Sequence, residues 1–286
     1  MNYAIVTPAK NEEANIDYLF FSIKKQSIKP RVWVIVNDNS DDRTKELIER
    51  NLLLYREDFK NSNVILYNNE KQSEYDLKIH YSEVVRKGFD IVEELMEHKN
   101  IALDYIGILD SDLFPQPDYY EKLIEHMNKN KIDICSGNVK VLTNHKLIVE
   151  KVAEDWPRGG CRLYSYKCYS SAGFEITRSP DTYSTLKAQM MGFRVSNLKA
   201  AFVLSLRETG SRHAYKYYGE SDRYFGYEYL YAISKFLFKF FKNPSKALAY
   251  INGYMNMKEV CPNENIVQYV RKTSKKKIFM KLKKLV

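Results

Sequence analysis

The chain has 286 residues, 44% of them hydrophobic and 28% charged, and its formal net charge at pH 7 is +9. This composition fits a folded protein with a full hydrophobic core and excludes a chain that is disordered throughout. The four cysteines form no CxxC pair, which argues against a zinc site or a disulfide framework. The N-terminus does not resemble a signal peptide, and Lys235 and Lys239 interrupt the longest apolar stretch, so we expect a cytoplasmic location without a membrane-spanning helix.

Strands and helices alternate four times within the first 130 residues. Short apolar and β-branched runs predict strands at 3–7, 31–36, 64–67 and 105–109, with Pro8 ending the first strand. Apolar residues at helical spacing predict helices at about 11–26, from 44 onward, at 81–96 and at 119–127. A further strand, at an edge or in mixed pairing, is predicted at 132–141. This alternation is typical of an α/β fold with a mostly parallel, doubly wound sheet.

Acidic and amide side chains follow three of these strands. Asn11 and Glu12 follow the first strand, Asp38 the second, and Asp110 with Asp112 the fourth. Because successive strand ends meet at one edge of such a sheet, we expect these side chains to line a single crevice. Two carboxylates separated by one small residue can share a divalent cation and hold a diphosphate through it. An isolated Asp-Ser-Asp is also common in exposed turns, so this motif alone does not decide the function.

The C-terminal part is aromatic and basic. Residues 215–231 are rich in tyrosine, and Lys235, Lys239 and Lys242 follow at helical spacing with phenylalanines between them. Such a helix either lies in a membrane interface with its aromatic residues buried, or packs its phenylalanines into the core. Residues 271–284 contain eight Lys or Arg and no acid. This tail fits an anionic membrane surface, nucleic acid or plain solvent; with no helix-turn-helix, zinc-finger or RNP motif, we expect no nucleic-acid partner.

Three motifs together resemble a known family. They are Thr7-Pro-Ala-Lys-Asn-Glu-Glu13, Val36-Asn-Asp-Asn-Ser-Asp-Asp-Arg-Thr44 and Leu109-Asp-Ser-Asp112. In this order and spacing they resemble the family 2 glycosyltransferases of GT-A fold, which are inverting enzymes that use nucleotide-diphosphate sugars. The resemblance implies a Rossmann-like GT-A domain followed by a helical, basic C-terminal extension.

The resemblance also implies a nucleotide site. The nucleoside would be cradled by Pro8, Ala9, Asn11 and Glu12. Asp38 would accept a hydrogen bond from the base, since Asn37 stands where the family commonly has an Asp.

A divalent cation, Mg²⁺ or Mn²⁺, would complete this site. It would be held by Asp112, with Asp110 supporting it or touching the ribose. Arg86, on the helix before the Asp-Ser-Asp strand, would reach the base or diphosphate, or else be a surface arginine.

Two later segments resemble the acceptor side of a prokaryotic branch of these enzymes. They are Trp156-Pro-Arg-Gly-Gly-Cys-Arg-Leu-Tyr164 and 180–193. By this resemblance Asp181, eleven residues before Gly192-Phe193, is the catalytic base, although an Asp there also suits a helix cap. Arg158 and Arg162 would bind the diphosphate or the acceptor.

One departure concerns the cation. Where the branch usually carries one or two histidines before an Arg, this chain has Ser205-Leu206-Arg207, and His213 lies nearby. Whether the cation is strictly required therefore stays open.

The expected function is inverting transfer of a sugar from a UDP- or GDP-sugar to a hydroxyl group of a lipid-linked glycan or polysaccharide. The expected domains are a GT-A domain at 1–214, with a nucleotide-binding part at 1–115 and an acceptor side at 116–214, and an extension at 215–286. The expected location is cytoplasmic, either free or peripheral at the inner face of the cell membrane. A non-catalytic GT-A nucleotide-binding protein is the alternative, whereas a nucleotidyltransferase is disfavoured because no Gly-rich basic loop follows the first strand.

Overall fold

A computed structural model describes residues 1–70, 79–143, 146–150, 152–206 and 212–283, with side chains described except at 143, 212–214 and 276–283. The chain forms two compact units, Met1–Arg207 and Glu208–Val286. The functional boundary expected after residue 214 stays a prediction.

The first unit contains nine strands and six helices in its described residues. The strands are β1 (Tyr3–Ala9), β2 (Val32–Asn37), β3 (Asn63–Asn68), β4 (Tyr105–Ile108), β5 (Leu113–Pro115), β6 (Ile134–Thr143), β7 (Lys146–Val149), β8 (Arg162–Ser165) and β9 (Val195–Ser205). The helices are α1 (Ile16–Lys24), α2 (Thr44–Leu54), α3 (His80–His98), α4 (Tyr119–Asn130), α5 (Tyr166–Ala172) and α6 (Pro180–Met190).

All nine strands belong to one mixed sheet. Its order is β3-β2-β1-β4-β8-β6-β9-β5, and β7 pairs with β6. The first four strands are mutually parallel, as are β6 and β9, whereas the pairs β4–β8, β8–β6, β6–β7 and β9–β5 are antiparallel. The α/β class is thus confirmed, and the doubly wound parallel part is the N-terminal half of the sheet.

Helices cover both faces of the parallel strands. Trp33 and Ile35 of β2 pack into one core cluster with Phe20 of α1. Val34, on the opposite face of β2, packs into a second cluster with Phe89 of α3. Because neighbouring residues of a strand point to opposite faces, a strand covered on both sides must be apolar throughout, as β2 is up to its last residue.

The structure corrects two expected boundaries. β1 continues through Pro8 to Ala9, because β4 pairs with β1 only as far as Val6, so the missing N–H of Pro8 breaks no ladder on that side. The first helix begins at Ile16 instead of residue 11. Asn11 has φ 55°, and a tight turn follows in which the N–H groups of Asn15 and Ile16 both donate to the carbonyl of Glu12.

A stability prediction concerns Gly88, where α3 crosses the sheet. A methyl group there would overlap Cγ1 of Val6 and press on Val36. Overpacking typically costs about 1–3 kcal/mol, partly offset by the roughly 1 kcal/mol that alanine gains in a helix. We expect Gly88→Ala to lower the free energy of unfolding by on the order of 1 kcal/mol in urea titrations. Glu94→Ala, at an exposed position of α3, should leave it nearly unchanged.

The second unit is helical in its described residues. Its helices are α7 (Arg212–Tyr224), α8 (Tyr229–Phe240), α9 (Pro244–Asn256) and α10 (Glu264–Lys283). Tyr250 and Tyr254 of α9 form a small core with Ala232 of α8. Within the described residues, no helix combines the length and the apolar character that crossing a membrane requires.

Candidate active site

A polar cleft of about 220 Å³ lies where β1, β2 and β4 end. It is lined by Pro8, Ala9, Lys10, Glu12, Asp38, His80, Tyr81, Val84, Asp110, Ser111 and Asp112. The expected convergence of three strand ends therefore occurs, and six of the expected site residues share this cleft.

Asp38 is buried at the end of β2 and is held by three neighbours. Its Oδ2 accepts from Nε2 of His80 at 2.7 Å and lies 3.5 Å from Nζ of Lys10. Its Oδ1 accepts from Nδ2 of Asn69 at 2.9 Å. These contacts fix the carboxylate, and a carboxylate has room for a further hydrogen bond from a ligand.

The side chain of Asn37, directly before Asp38, forms its hydrogen bonds outside the cleft. Its Nδ2 donates to Oδ1 of Asn68 at 2.9 Å and its Oδ1 accepts from the Ser40 hydroxyl at 2.7 Å. These two bonds tie β2 to β3 and to the following loop. Asp38 is thus the residue of this pair that lines the cleft.

Asp110 and Asp112 stand at the end of β4, where negative charge is concentrated. The Tyr81 hydroxyl donates to Oδ1 of Asp110 at 2.9 Å. Burial, together with the charges of Asp112 and Asp181, raises the pKa of Asp110 to about 7. Closely spaced carboxylates repel each other, and a cation bound between them would relieve that repulsion.

Asp181 lies in the first turn of α6. Pro180 occupies the first helical position and Ser179 the cap position, where the Ser179 side chain forms no capping hydrogen bond. Oδ1 of Asp181 is buried without a hydrogen-bond partner in the described residues. Burial raises the pKa of this carboxyl, and the Arg162 guanidinium opposes that rise. The helix expected here is confirmed, and the capping alternative for Asp181 has no support in these contacts.

The loop before β8 brings Asp181 and Asp110 to the same place. A methyl group on Gly159 would overlap Oδ2 of Asp181, and one on Gly160 would overlap Oδ2 of Asp110. The amide of Asp110 also donates to the carbonyl of Gly160 at 2.7 Å. Two adjacent residues without side chains therefore allow both carboxylates to approach one stretch of backbone.

Arg162 is 1% exposed and its hydrogen bonds lie inside the fold, so its expected contact with diphosphate or acceptor stays a prediction. Its Nη1 donates to the carbonyl of Asp181 at 2.9 Å and to the hydroxyls of Ser184 and Thr185 at 3.2 and 3.1 Å. These bonds anchor the start of α6. A fully buried guanidinium with these partners positions Asp181.

Arg158 also forms its contacts within the protein. Its Nη1 forms an ion pair with Oε2 of Glu150 at 2.6 Å, and its Nη2 donates to the Glu150 carbonyl at 3.0 Å. Its backbone N–H donates to the Ser136 hydroxyl at 2.7 Å. These contacts hold the start of the Gly159–Gly160 loop, and a contact with diphosphate or acceptor stays a prediction.

Two other expected residues do not line the cleft. Arg86 donates to Asp90 at 2.7 Å, to Glu93 at 2.8 Å and to the Tyr169 hydroxyl at 3.0 Å, and its expected contact with the base or diphosphate stays a prediction. Asn11 instead shapes the loop after β2, because its Oδ1 accepts from the amide of Asp41 at 2.8 Å.

His80 and Tyr81 line the cleft but were not predicted as site residues. Both begin α3 at the edge of the sheet where the strand-end acids lie, and each contacts one of those acids. The apolar pattern predicted a helix from residue 81, so a helix start at the crevice was the available signal.

The residues at the expected histidine positions are only partly described. Ser205 is buried at the end of β9, opposite Leu113 in the ladder with β5. Arg207 and the side chain of His213 lie outside the described residues.

The donor set fits a hard divalent cation. Within the described part of the chain, no group of three His, Cys, Asp or Glu could hold a metal ion. Mg²⁺ is commonly held by only one or two carboxylates, with substrate phosphates and water completing the octahedron, so Asp110 and Asp112 suffice chemically.

Comparisons with known proteins identify the family and the fold. The family model described as Glycosyl transferase family 2 matches residues 4–75 and 99–177, whereas a search of curated proteins found no match. Among solved structures, S. aureus TarS 1-349 in complex with UDP-GlcNAc is 15% identical, with 96% of this chain and 83% of that chain covered and a TM-score of 0.56. The mannosyltransferase PcManGT from Pyrobaculum calidifontis, in complex with GDP-Man and Mn²⁺, is 14% identical, with 90% and 76% covered and a TM-score of 0.56.

At these identities the structural neighbours show the fold, and the family model covers more than half of the chain. The strand-end cleft lies within the GT-A fold that these neighbours share. The protein belongs to glycosyl transferase family 2 and is a glycosyltransferase of GT-A fold.

Proposed function

We propose that this glycosyltransferase moves a sugar from a UDP- or GDP-sugar to an acceptor hydroxyl, with inversion at the anomeric carbon. The observation that carries the proposal is the buried Oδ1 of Asp181, which has no hydrogen-bond partner in the described residues. The same carboxylate lies against Gly159, next to Gly160, which lies against the carboxylate of Asp110. TarS and PcManGT were solved with UDP-GlcNAc and GDP-Man, which supports a donor of this class.

The nucleotide would occupy the strand-end cleft. Pro8 and Ala9 offer apolar contact to the nucleoside, and Asp38 accepts a hydrogen bond from a ring N–H or a ribose hydroxyl. His80 and Asn69 hold the Asp38 carboxylate in place, so little freedom is lost when the ligand binds.

The diphosphate would lie toward Asp110 and Asp112. These two residues would hold Mg²⁺ or Mn²⁺, which neutralises the negative charge that grows on the departing diphosphate. The Tyr81 hydroxyl orients Asp110 through its hydrogen bond to Oδ1. The Mn²⁺ in the PcManGT complex supports a divalent cation in a protein of this fold.

Asp181 would act as the general base. Its carboxylate takes the proton of the acceptor hydroxyl while the oxygen attacks the anomeric carbon from the side opposite the diphosphate, which inverts that centre. Arg162 supports this role in two ways. It anchors the backbone of Asp181, and its positive charge opposes the rise in pKa that burial causes.

The acceptor we propose is a lipid-linked glycan or a polysaccharide. Family membership and the Asp181 carboxylate together weigh against the non-catalytic alternative. Turnover of the bound donor, by transfer or by slow hydrolysis, would separate the two directly.

A calorimetric test addresses the donor and the cation together. UDP, GDP, ADP and CDP are titrated into the protein with and without Mn²⁺, and we expect one uridine or guanosine nucleotide to bind selectively and to bind more tightly with Mn²⁺. Asp112→Asn should weaken that Mn²⁺-dependent binding by more than about tenfold. Glu125→Gln, which removes one exposed charge from α4, is the matched control and should bind normally.

Selective binding that Mn²⁺ does not change would remove the cation from the proposed mechanism and keep the donor site. Failure of all four nucleotides to bind would refute the donor site itself.

A further inference from the structure

The net positive charge of this protein arises from its C-terminal unit. Residues 208–286 contain sixteen Lys or Arg and six Asp or Glu, a formal charge of +10. Residues 1–207 contain 29 basic and 30 acidic residues, a formal charge of −1. A charge of this size on 79 residues attracts an anionic partner and repels a second copy of itself.

Helix α8 in this unit turns its lysines inward. Nζ of Lys235 pairs with Oδ2 of Asp222 at 2.6 Å, and the Tyr250 hydroxyl donates to the same oxygen at 2.7 Å. Nζ of Lys239 lies 4.6 Å from the ring centre of Tyr215 on α7. The lysine side of α8 is therefore the side that packs against α7 and α9.

The opposite side of α8 is apolar and faces outward. Leu230 is 71% exposed, Ile233 47% and Leu237 49%, and Phe241, directly after the helix, is 86% exposed. These four residues follow each other at intervals of three and four, so they form one stripe along the helix. Phe238, 64% exposed, extends the stripe at its C-terminal end. A helix with its lysines packed inside and this stripe in water is the reverse of an ordinary surface helix.

We propose that this α8 stripe inserts into the interface of a bilayer that contains anionic lipid. Apolar side chains and a basic surface are the two signals that together give stable peripheral binding. The helix lies in the plane of the surface, because its twelve residues are too few to cross the hydrocarbon core. A second copy is disfavoured as the occupant since both copies carry +10. Nucleic acid is disfavoured because three of the five stripe residues, Leu230, Ile233 and Leu237, are aliphatic and offer no face on which a base could stack.

The proposal stands apart from the proposed reaction, although it suits an acceptor that is itself anchored in lipid. It also bears on the two arrangements that the sequence left open for this helix, because Lys235 and Lys239 pack against α7 and α9 and do not lie at the outer surface. The charges that meet the headgroups must then come from other basic residues of the unit, of which Lys242 and Lys258 are exposed.

The test is co-sedimentation of the 286-residue protein with vesicles. One set contains phosphatidylcholine alone, and the other an equal mixture of phosphatidylcholine and phosphatidylglycerol. We expect binding to the mixed vesicles only, with weakening as salt is raised. Leu230→Ser combined with Phe241→Ser should reduce the apparent affinity by at least about tenfold, because the apolar signal is lost.

The matched control is Leu53→Ser combined with Leu54→Ser, at two exposed leucines of α2, which should bind vesicles normally. Equal binding to both vesicle types, or unchanged binding of the α8 variant, would overturn the proposal. A dimer in light scattering that dissociates in the α8 variant would assign the stripe to a second copy. Nucleotide titrations on the same variants separate this test from that of the reaction, because exposed α8 residues should not alter nucleotide affinity.

Discussion

Asp181→Asn should lower kcat for sugar transfer by about 10²–10⁴-fold, the usual contribution of a general base. Asparagine keeps the shape of the side chain but cannot take the acceptor proton. The affinity for nucleoside diphosphate should stay unchanged, because Asp181 does not line the nucleotide cleft. The measurement is single-turnover transfer alongside calorimetric nucleotide binding, with Asp155→Asn, at an exposed position, as the control for loss of one charge.

The pH profile gives this experiment a second readout. The base works only when ionised, and burial raises the pKa of Asp181 above that of an ordinary aspartate. Transfer should therefore fall as the pH drops through this raised pKa. Arg162→Gln removes the opposing positive charge and should move the acid limb to higher pH, whereas Arg162→Lys should move it less. Full activity of Asp181→Asn would show that another group takes the proton.

The second large effect is expected at the Gly159–Gly160 loop. Gly159→Ala places a methyl group against Asp181, and Gly160→Ala places one against Asp110. Each carboxylate can swing aside at little cost in stability, but a displacement of about 1 Å in an active site can lower the rate about 100-fold. We expect both variants to lose transfer on that order while their thermal unfolding stays close to that of the unaltered protein.

Each variant is the control for the other, because both add one methyl group to the same loop at adjacent positions. Gly159→Ala should retain Mn²⁺-dependent nucleotide binding, since it displaces only the base. Gly160→Ala should lose that binding, since it displaces a carboxylate assigned to the cation. Unaltered kinetics in both variants would mean that neither carboxylate acts from the position that the structure gives it.

Much of the strand-end cleft was predictable from the sequence because its residues directly follow strands. Asp38 and Asp110 directly follow apolar strands, and the alternation of strands and helices places such ends together. The short β5 was missed, since a three-residue strand holding Pro115 reads as a turn and exists only through its pairing with β9. The roles of Arg162 and Arg86 were not readable, because a sequence does not reveal whether a guanidinium faces solvent or a buried carbonyl.

His80 and Tyr81 could not be chosen from the motifs for a related reason. The family model matches residues 4–75 and 99–177 and leaves out α3, which carries both residues. Their contacts with Asp38 and Asp110 depend on how α3 packs across the sheet at Gly88, and this packing is set by tertiary structure. The sequence predicted helix α3, but only the folded structure shows that the start of α3 lies at the cleft.

The adjacency of His80 and Tyr81 has a thermodynamic consequence. Two consecutive residues of one helix hold Asp38, the carboxylate assigned to the nucleotide base, and Asp110, a carboxylate assigned to the cation. Any shift of the first turn of α3 that accommodates a nucleoside is thereby felt at Asp110, and the converse also holds. The binding free energies of a nucleoside and of Mn²⁺ should therefore not be additive, and by linkage each ligand should change the affinity for the other by the same factor.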